Sequence, residues 1–369
     1  MPSPAPLQQA LLNWFQANQR DLPWRHSYAP YQIWISEIML QQTQMDRVTL
    51  FFTRWMDTFP DIATLAGASE DQVLKCWEGL GYYSRARNIM KTAQLLMRKH
   101  QGKIPESRDE LLQLPGIGPY TAGAIASISF QRDVAVVDAN IERIFARLFH
   151  IDLIPGSPEA KRLYWQKAET LIPTGQARNF NQGLMELGAL ICRPKNPDCA
   201  CCPLAPHCLA LKYNLTQELP LPKKGKPIIP IEMATGILIH KGQLFIQQRL
   251  ADDVWGSLWE FPGGRIKKGE NPEQAVVREY QEETEFTVQV ESKITITIHH
   301  YTRYKVTLHC FLVSLNQANS DPILHAAQDF HWINSEDLAN YAFPAGHRKL
   351  ISHMEESGCF FEQSACKPD

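Results

Sequence analysis

The segment at residues 220–230, PLPKKGKPIIP, divides the chain, because the apolar residues follow a different period on its two sides. It is dense in proline and lysine and cannot continue a helix. Before it, apolar positions recur at helical spacing over residues 7–17, 31–59, 69–74 and 85–100, and again over 164–171 and 181–191. No strand alternation interrupts residues 7–100. After it, residues 237–239 and 244–248 read as a hairpin about Lys241 and Gly242, and the runs ITITI and VTLHCFLV read as two more strands. The chain is therefore expected to be multidomain, with an all-α part over residues 1–218, a linker over 219–230 and a separate α+β domain over 231–360. At 369 residues with 44% apolar content, it is long enough to give each part its own core.

Charge narrows the partners. The 37 basic and 39 acidic side chains leave a net charge of -2, which excludes a nonspecific polycation; any nucleic-acid contact must be local and partly main-chain. The N-terminal stretch MPSPAPLQQALLNW lacks a basic leader and a long apolar core, and no apolar run approaches bilayer length. A cytoplasmic, monomeric protein without a membrane partner is expected.

Residues 114–140, LPGIGPYTAGAIASISFQRDVAVVDAN, hold the densest chemistry. Ser107 and Glu110 have capping-box spacing and predict a helix to about Gln113, ended by Pro115 and Gly116. Pro119 suits the first position of a second helix. Gly116 and Gly118 allow close backbone approach, and the free amides at that helix start make an anion site. A helix-hairpin-helix of this kind binds a DNA phosphate through main chain without base readout; the alternative is an ordinary αα-turn, since Leu-Pro-Gly alone is common, and it is the hairpin together with Tyr-Thr-Ala-Gly and the following VVDAN that favours DNA. Asp138 follows a short apolar run and precedes an apolar-periodic helix, so it is expected as an N-cap whatever else it does.

Three further stretches bear chemistry in the first part. In residues 33–40, IWISEIML, Glu37 is the only acid; burial would raise its pKa and keep it protonated enough to donate, whereas a solvent-facing stripe with Gln41 and Gln44 would leave it ordinary. The loop RDLPWRHSY mixes Arg20 and Arg25 with Trp24, a composition that either stacks on a base or packs its indole. GYYSRARN offers Tyr82 and two arginines as a wedge for an opened stack, or as a packed aromatic pair. Among nine cysteines, Cys192, Cys199, Cys202 and Cys208 form C-x6-C-x2-C-x5-C. Four thiolates hold either a cubane iron–sulfur cluster or a structural zinc, and this spacing, unlike the paired C-x2-C knuckles of zinc ribbons, favours the 4Fe-4S cluster.

In the second part, Gly264, Glu270, Arg278, Glu279, Glu282 and Glu283 stand at G-x5-E-x7-R-E-U-x-E-E spacing, U being bulky and apolar or aromatic. Asn271 should cap that helix and Pro272 take its first position. Glu279, Glu282 and Glu283 then share a face, where like charges repel unless solvated or bridged by a cation such as Mg2+.

Together RDLPWR, SEIMLQQTQ, GYYSRARN, LPGIGPYTAGA, VVDANIERI, the cysteine loop and the C-terminal Nudix-like pattern resemble the MutY-type adenine DNA glycosylases of the helix-hairpin-helix endonuclease III superfamily. The likeness covers nearly the whole chain. It implies a monofunctional hydrolase that removes adenine paired with 8-oxoguanine in double-stranded DNA, with repair and replication proteins as further partners. It also implies Glu37 as general acid/base, Asp138 as the carboxylate supporting the sugar cation, and Tyr120 as their companion. By the same likeness Arg20, Trp24, Arg25, Leu40 and Gln182 border the flipped base, and Gln42 and Tyr82 enter the stack. Lyase-active relatives carry a lysine where this chain has Tyr120. Two departures from the family stand out: Tyr301-Thr302-Arg303 replaces a Phe-Ser-His loop, with Thr302 keeping a hydroxyl for 8-oxoguanine, and Glu285 stands where the Nudix motif has glycine. The competing readings are a bifunctional glycosylase/lyase for oxidised pyrimidines and a Nudix pyrophosphohydrolase using Mg2+.

Overall fold

The computed structural model describes residues 5–222, 227–317 and 320–358; residues 223–226 of the linker and 359–360 lie outside them. Two compact units result: Met1–Ala68 with Ser84–Gly225, and Ser69–Tyr83 with Lys226–Asp369. The first unit holds α1 (Ala5–Asn18), α2 (Pro30–Met39), α3 (Met45–Thr58), α4 (Ile62–Gly67), α6 (Ser84–His100), α7 (Arg108–Leu111), α8 (Pro119–Ala124), α9 (Ala139–Leu148), α10 (Pro158–Leu171), α11 (Ala177–Leu190) and α12 (Leu209–Lys212). Helix α5 (Glu70–Trp77) belongs to the second unit. Among the described residues no helix is long and apolar enough to cross a membrane.

Capping chemistry sets several helix starts. Asp61 accepts from Thr64 N at 2.7 Å at the head of α4, and Ser69 and Gln72 form a complete capping box on α5. The capping box expected at Ser107 does not form; Ser107 makes no side-chain cap bond and α7 is a single turn. The single helix expected over residues 31–59 is in fact two. Between α2 and α3 the chain turns tightly through Gln42, whose φ is 59°, and Arg85 Nη1 donates to the carbonyls of Ile38 at 2.8 Å and Gln41 at 2.7 Å. That arginine takes up carbonyls left open by the helix end, and it lies too far along the chain to be seen in local pattern. The core of this unit contains Phe15, Trp34, Trp55, Phe145 and Phe180, all fully buried. Each such side chain contributes roughly 2 kcal/mol relative to exposure.

Close contacts then fix the hairpin and its neighbour. Gly116 turns left-handed at φ 74°, and a Cβ there would meet Asn88 Cβ at 2.7 Å, so only glycine closes this turn. Pro119 occupies the start of α8, which continues through a π turn at Ile125–Ser129. Gly123 on α8 lies so close to the 134–137 segment that an added Cβ would come within 2.4 Å of the Ala135 carbonyl. The segment ends on Asp138, which is thereby drawn up beside α8.

The second unit is a seven-stranded sheet in the order β3-β2-β1-β6-β5, with β4 paired to β1 and β7 to β2. Its strands are β1 (Ile229–His240), β2 (Gln243–Arg249), β3 (Trp259–Glu260), β4 (Gly263–Arg265), β5 (Val288–Tyr301), β6 (Tyr304–Leu315) and β7 (Ala327–Ile333); its further helices are α13 (Pro272–Thr284) and α14 (Ala345–Ser357). The hairpin at Lys241 and Gly242 forms with both residues at positive φ, as a two-residue turn requires. Alternation along β1 sends Ile237 into a cluster with Trp259, Phe261 and Leu350 of α14, and Leu238 into one with Phe245, Val276 and Tyr280 of α13. Asn271 and Gln274 close a capping box on α13, with Pro272 at its start. Glu285 adopts the left-handed conformation at the end of α13 that glycine would take, φ 59°, and the helix keeps its expected end.

Helix α5 is tied to this unit by its polar side chains. Asp71 Oδ1 accepts from Gln248 Nε2 at 3.0 Å and Trp259 Nε1 at 3.1 Å, Lys75 Nζ donates to Tyr341 O at 3.0 Å, and Glu78 Oε1 accepts from Phe343 N and Arg348 Nε, each at 2.9 Å. Composition gave no sign of this allegiance.

Candidate active site

Helix α2 packs against α3, α8 and the π turn that follows α8, so its residues from Ile33 to Met39 are all buried. Glu37 is caught in that apolar wrapping at 4% exposure. Burial pushes its carboxyl up to about 7; the Tyr120 hydrogen bond opposes this, Asp138 adds to it, and Arg25 opposes it. The solvent-stripe alternative is thereby excluded. Tyr120, in the first turn of α8, donates its hydroxyl to Glu37 Oε2 at 2.5 Å and lies 3.3 Å from Met185 Sδ. Burial, then the Glu37 and Asp138 charges, hold that phenol well above its ordinary pKa, so it stays a neutral donor.

Asp138 caps α9 as expected: Oδ1 accepts from Ile141 N and Oδ2 from Asn140 Nδ2, both at 2.8 Å. Its pKa is raised on balance, by burial first, and the Ile141 amide, Asn140 and the Arg143 charge offset this only in part. Asn140 Oδ1 in turn accepts from Arg143 Nη2 at 2.8 Å, and Arg143 Nε donates to Cys192 O at 2.7 Å. The two carboxyls therefore differ: one is neutralised by apolar burial, the other braced by donors at a helix N-terminus.

Both face a cavity of about 580 Å3, which Arg20, Trp24, Arg25, Leu40, Gln42, Tyr120 and Gln182 also line. All of the residues expected around the base are thus brought together. Trp24 is itself buried against Phe52, ring centroids 5.1 Å apart, so it forms wall rather than a mobile stacking platform. Sequence reasoning missed Glu186, Met185 and Asn140. Glu186 is 1% exposed and accepts from Arg20 Nε at 2.7 Å and Arg25 Nη2 at 3.0 Å; Arg25 Nε also donates to Gln182 Oε1 at 2.9 Å. Although burial raises the Glu186 pKa, the two arginines more than offset it and leave a carboxylate. An acid in ELGAL, four residues past the expected site glutamine Gln182 and on the same face of the same helix, was the available signal.

Gly116 and Gly118 lie at the hairpin tip and do not line the cavity. Tyr82 and Thr302 do not line it either; they fall in the second unit, where Tyr82 is exposed at φ 49° with its ring 6.4 Å from Tyr301, and Thr302 occupies the β5–β6 turn at φ 52°. Cys192, Cys199, Cys202 and Cys208 border a second, small cavity with Arg147, and none is in a disulfide; Cys201 is exposed. Burial pushes the Cys202 thiol up to about 11, and the neighbouring Cys192, Cys208 and Cys199 add to the rise. Among the described residues no three ligating side chains gather within reach of a single metal ion.

That holds for the acids of α13 as well. Arg278 Nη1 donates to Glu279 at 2.7 Å and Glu282 at 2.9 Å, and its Nε donates to Glu270 at 2.7 Å, while Lys267 bonds Glu282 at 2.9 Å. Glu283 faces inward, accepts from Gln247 Nε2 at 2.9 Å and is pushed up to about 8, by burial first and Glu260 second. Arg278 thus bridges two of the three glutamates expected to share a cation, Glu279 and Glu282, while Glu283 is held apart by Gln247.

Residues 35–170 match the HhH-GPD superfamily of base excision DNA repair proteins, and residues 234–353 match the NUDIX domain. A solved thermostable thymine-DNA glycosylase is 28% identical and covers 57% of this chain and 97% of its own, with TM-score 0.52. A trapped endonuclease III–DNA covalent intermediate shares the fold at 22% identity and TM-score 0.50, over 58% of this chain and 100% of its own. Fold and site thus define a base excision DNA glycosylase carrying a Nudix domain. An adenine DNA glycosylase of Buchnera aphidicola subsp. Acyrthosiphon pisum is 33% identical over 95% of this chain and 97% of its own, and one of Mus musculus 30% identical over 94% and 77%. The chain belongs to the adenine DNA glycosylase family.

Proposed function

We propose that this adenine DNA glycosylase excises adenine lying opposite 8-oxoguanine in duplex DNA, by hydrolysis that stops at the abasic site. The observation that carries the chemistry is Glu37, a buried carboxyl with a pKa near 7 held 2.5 Å from a neutral phenol, in one cavity with a second, differently braced carboxyl. Adenine is a poor leaving group, so a flipped base needs a proton on its ring and support for positive charge on the deoxyribose. Glu37 supplies the proton, and Tyr120 keeps its carboxyl aimed into the cavity. Asp138 faces the developing sugar cation as electrostatic partner, as paired carboxyls do in glycoside hydrolysis. Arg20, Arg25 and Gln182, ordered by Glu186, frame the base edge. Gly116 and Gly118 present main-chain amides to a phosphate, Gln42 and Tyr82 enter the stack, and Thr302 reads the strand opposite.

Among the described residues no lysine lines the cavity, which favours hydrolysis over Schiff-base lyase chemistry. The four loop cysteines fit a 4Fe-4S cluster, since all four are unpaired thiols bordering one cavity, and burial and the neighbouring sulfurs make negative charge on Cys199, Cys202 and Cys208 costly unless a cationic iron core offsets it. Cys192, Cys199, Cys202 and Cys208 would hold it, and when bound it supplies a rigid, redox-active cross-link for the loop. Pyrophosphohydrolase chemistry with Mg2+ at Glu279, Glu282 and Glu283 is the weaker reading, because Arg278 and Lys267 already neutralise two of these acids.

The test is single-turnover cleavage of duplexes with A opposite 8-oxoguanine or guanine, assayed before and after alkali. Strand breaks only after alkali, formed faster opposite 8-oxoguanine, are expected. Breaks before alkali with borohydride trapping would overturn the monofunctional reading, and equal rates on the two duplexes would overturn the 8-oxoguanine preference.

A further inference from the structure

Arg147, on the last turn of α9, is 2% exposed, and its guanidinium spans both ends of the cysteine loop. Nη1 donates to Cys192 Sγ at 3.3 Å and to Arg193 O at 2.8 Å, Nη2 to Pro194 O at 3.1 Å, and Nε to Leu219 O at 2.8 Å. The backbone carbonyl of the same residue accepts from Cys208 Sγ at 3.6 Å. None of these partners is a carboxylate. A buried guanidinium bonded only to neutral carbonyls is costly unless an anion completes the set, and the one partner able to carry negative charge is the sulfur of Cys192. The planar fork also fits this job as an ammonium cannot, since it reaches all of these acceptors at once without reorienting.

We infer that Arg147 is a positioning residue for the cluster, fixing the Cys192 sulfur as a ligand and setting the cluster's one-electron potential and its retention. The inference rests on the cluster reading given above. A cationic N–H donor to a ligand sulfur draws electron density from it and favours the reduced, more negative state of the centre, so its removal lowers the potential. The bonds to Arg193, Pro194 and Leu219 make the same side chain a clasp between the start of the loop and the chain beyond its end. Loss of the clasp opens a path for a chelator.

The experiment uses the full-length chain as wild type, Arg147→Lys, Arg147→Gln and, as control, Arg193→Ala, whose side chain is exposed and donates to Asn196 O at 3.1 Å. Iron and sulfide per chain, far-UV circular dichroism, midpoint potential by voltammetry, and the rate at which a ferrous chelator bleaches the visible absorbance are measured. At the wild-type midpoint, Arg147→Gln is expected to shift the oxidised-to-reduced ratio about tenfold toward oxidised, a fall of about 59 mV for a one-electron couple. Arg147→Lys, which keeps charge without the fork, falls between Gln and wild type in potential but bleaches as fast as Gln. Arg193→Ala matches wild type in both. Iron-replete Arg147 variants with unchanged potential and bleaching would overturn the inference, as would a lower melting temperature at constant potential. Wild-type protein with stoichiometric zinc or no iron sinks the cluster reading instead.

Discussion

Glu37 gains its chemical value from a cost. Its folded pKa, about 7, lies above the ordinary 4.5, so its contribution to stability is present below pH 4.5 and is lost as pH rises through 7. Glu37→Gln should therefore unfold at higher denaturant than wild type at pH 8, by on the order of 3 kcal/mol, and show no such gain at pH 4. The same substitution should lower excision at least about a thousandfold while duplex binding persists. In wild type, single-turnover excision should decline about tenfold per pH unit above 7 as the proton is lost. A rate flat to pH 9 would take Glu37 out of the proton's path. The need for an acid here was legible in the sequence from one charge amid apolar residues, but the phenol that aims it lies 83 positions away and only the fold brings it up. Backbone conformation adds a second lesson: Gln42, Tyr82 and Thr302, the residues expected to meet stacked bases or 8-oxoguanine, all adopt positive φ, between 49° and 59°. Each costs roughly 1 kcal/mol in a side chain with a Cβ. Gln42→Gly should thus raise folding stability by up to about 1 kcal/mol while slowing excision on duplex DNA, whereas a loss of stability would show that the Gln42 side chain supports the turn.

Elements, rather than residues, decide which carboxyls meet. Helices α2, α8 and α9 each present one reacting or supporting group, and α11 presents the Gln182 and Glu186 wall. The N-cap role of Asp138 and the turn chemistry of the hairpin were readable because their causes are local. The break between α2 and α3 was not, since no glycine or proline marks it and the cap comes from Arg85. Glu186 was missed for the same reason, because its partners Arg20 and Arg25 precede it by 166 and 161 residues. Removing its charge tests that wall. Glu186→Gln keeps shape but leaves two arginines without a counter-charge, and should destabilise the protein by about 3 kcal/mol. It should also slow excision by roughly ten- to a hundredfold as Arg25 and Gln182 lose their set positions. Denaturant midpoint and single-turnover rate report the two effects separately, and a variant unchanged in both would make Glu186 an idle ion pair.

At the scale of the molecule, the change of hydrophobic period made the two kinds of fold legible, yet composition could not reveal that residues 69–83 side with the sheet. Helix α5 carries the pattern of an ordinary amphipathic helix, and it is bonds such as those of Asp71, Lys75 and Glu78 to partners far along the chain that show where it belongs. Deletion from Ile231 onward should then do more than weaken the preference for 8-oxoguanine. It strips α5 of these partners and should lower the melting temperature by roughly 5 °C or more; an unchanged melting curve would deny α5 its place in the second unit. The division of the chain also means that it passes from one unit to the other three times, at residues 68–69, at 83–84 and within the linker. A single linker would make the C-terminal part a detachable module; three passages make it a stitched garment. Severing one thread, with a protease site engineered between Pro222 and Pro227, should leave two fragments that co-elute as one particle and still excise adenine, parting only in denaturant.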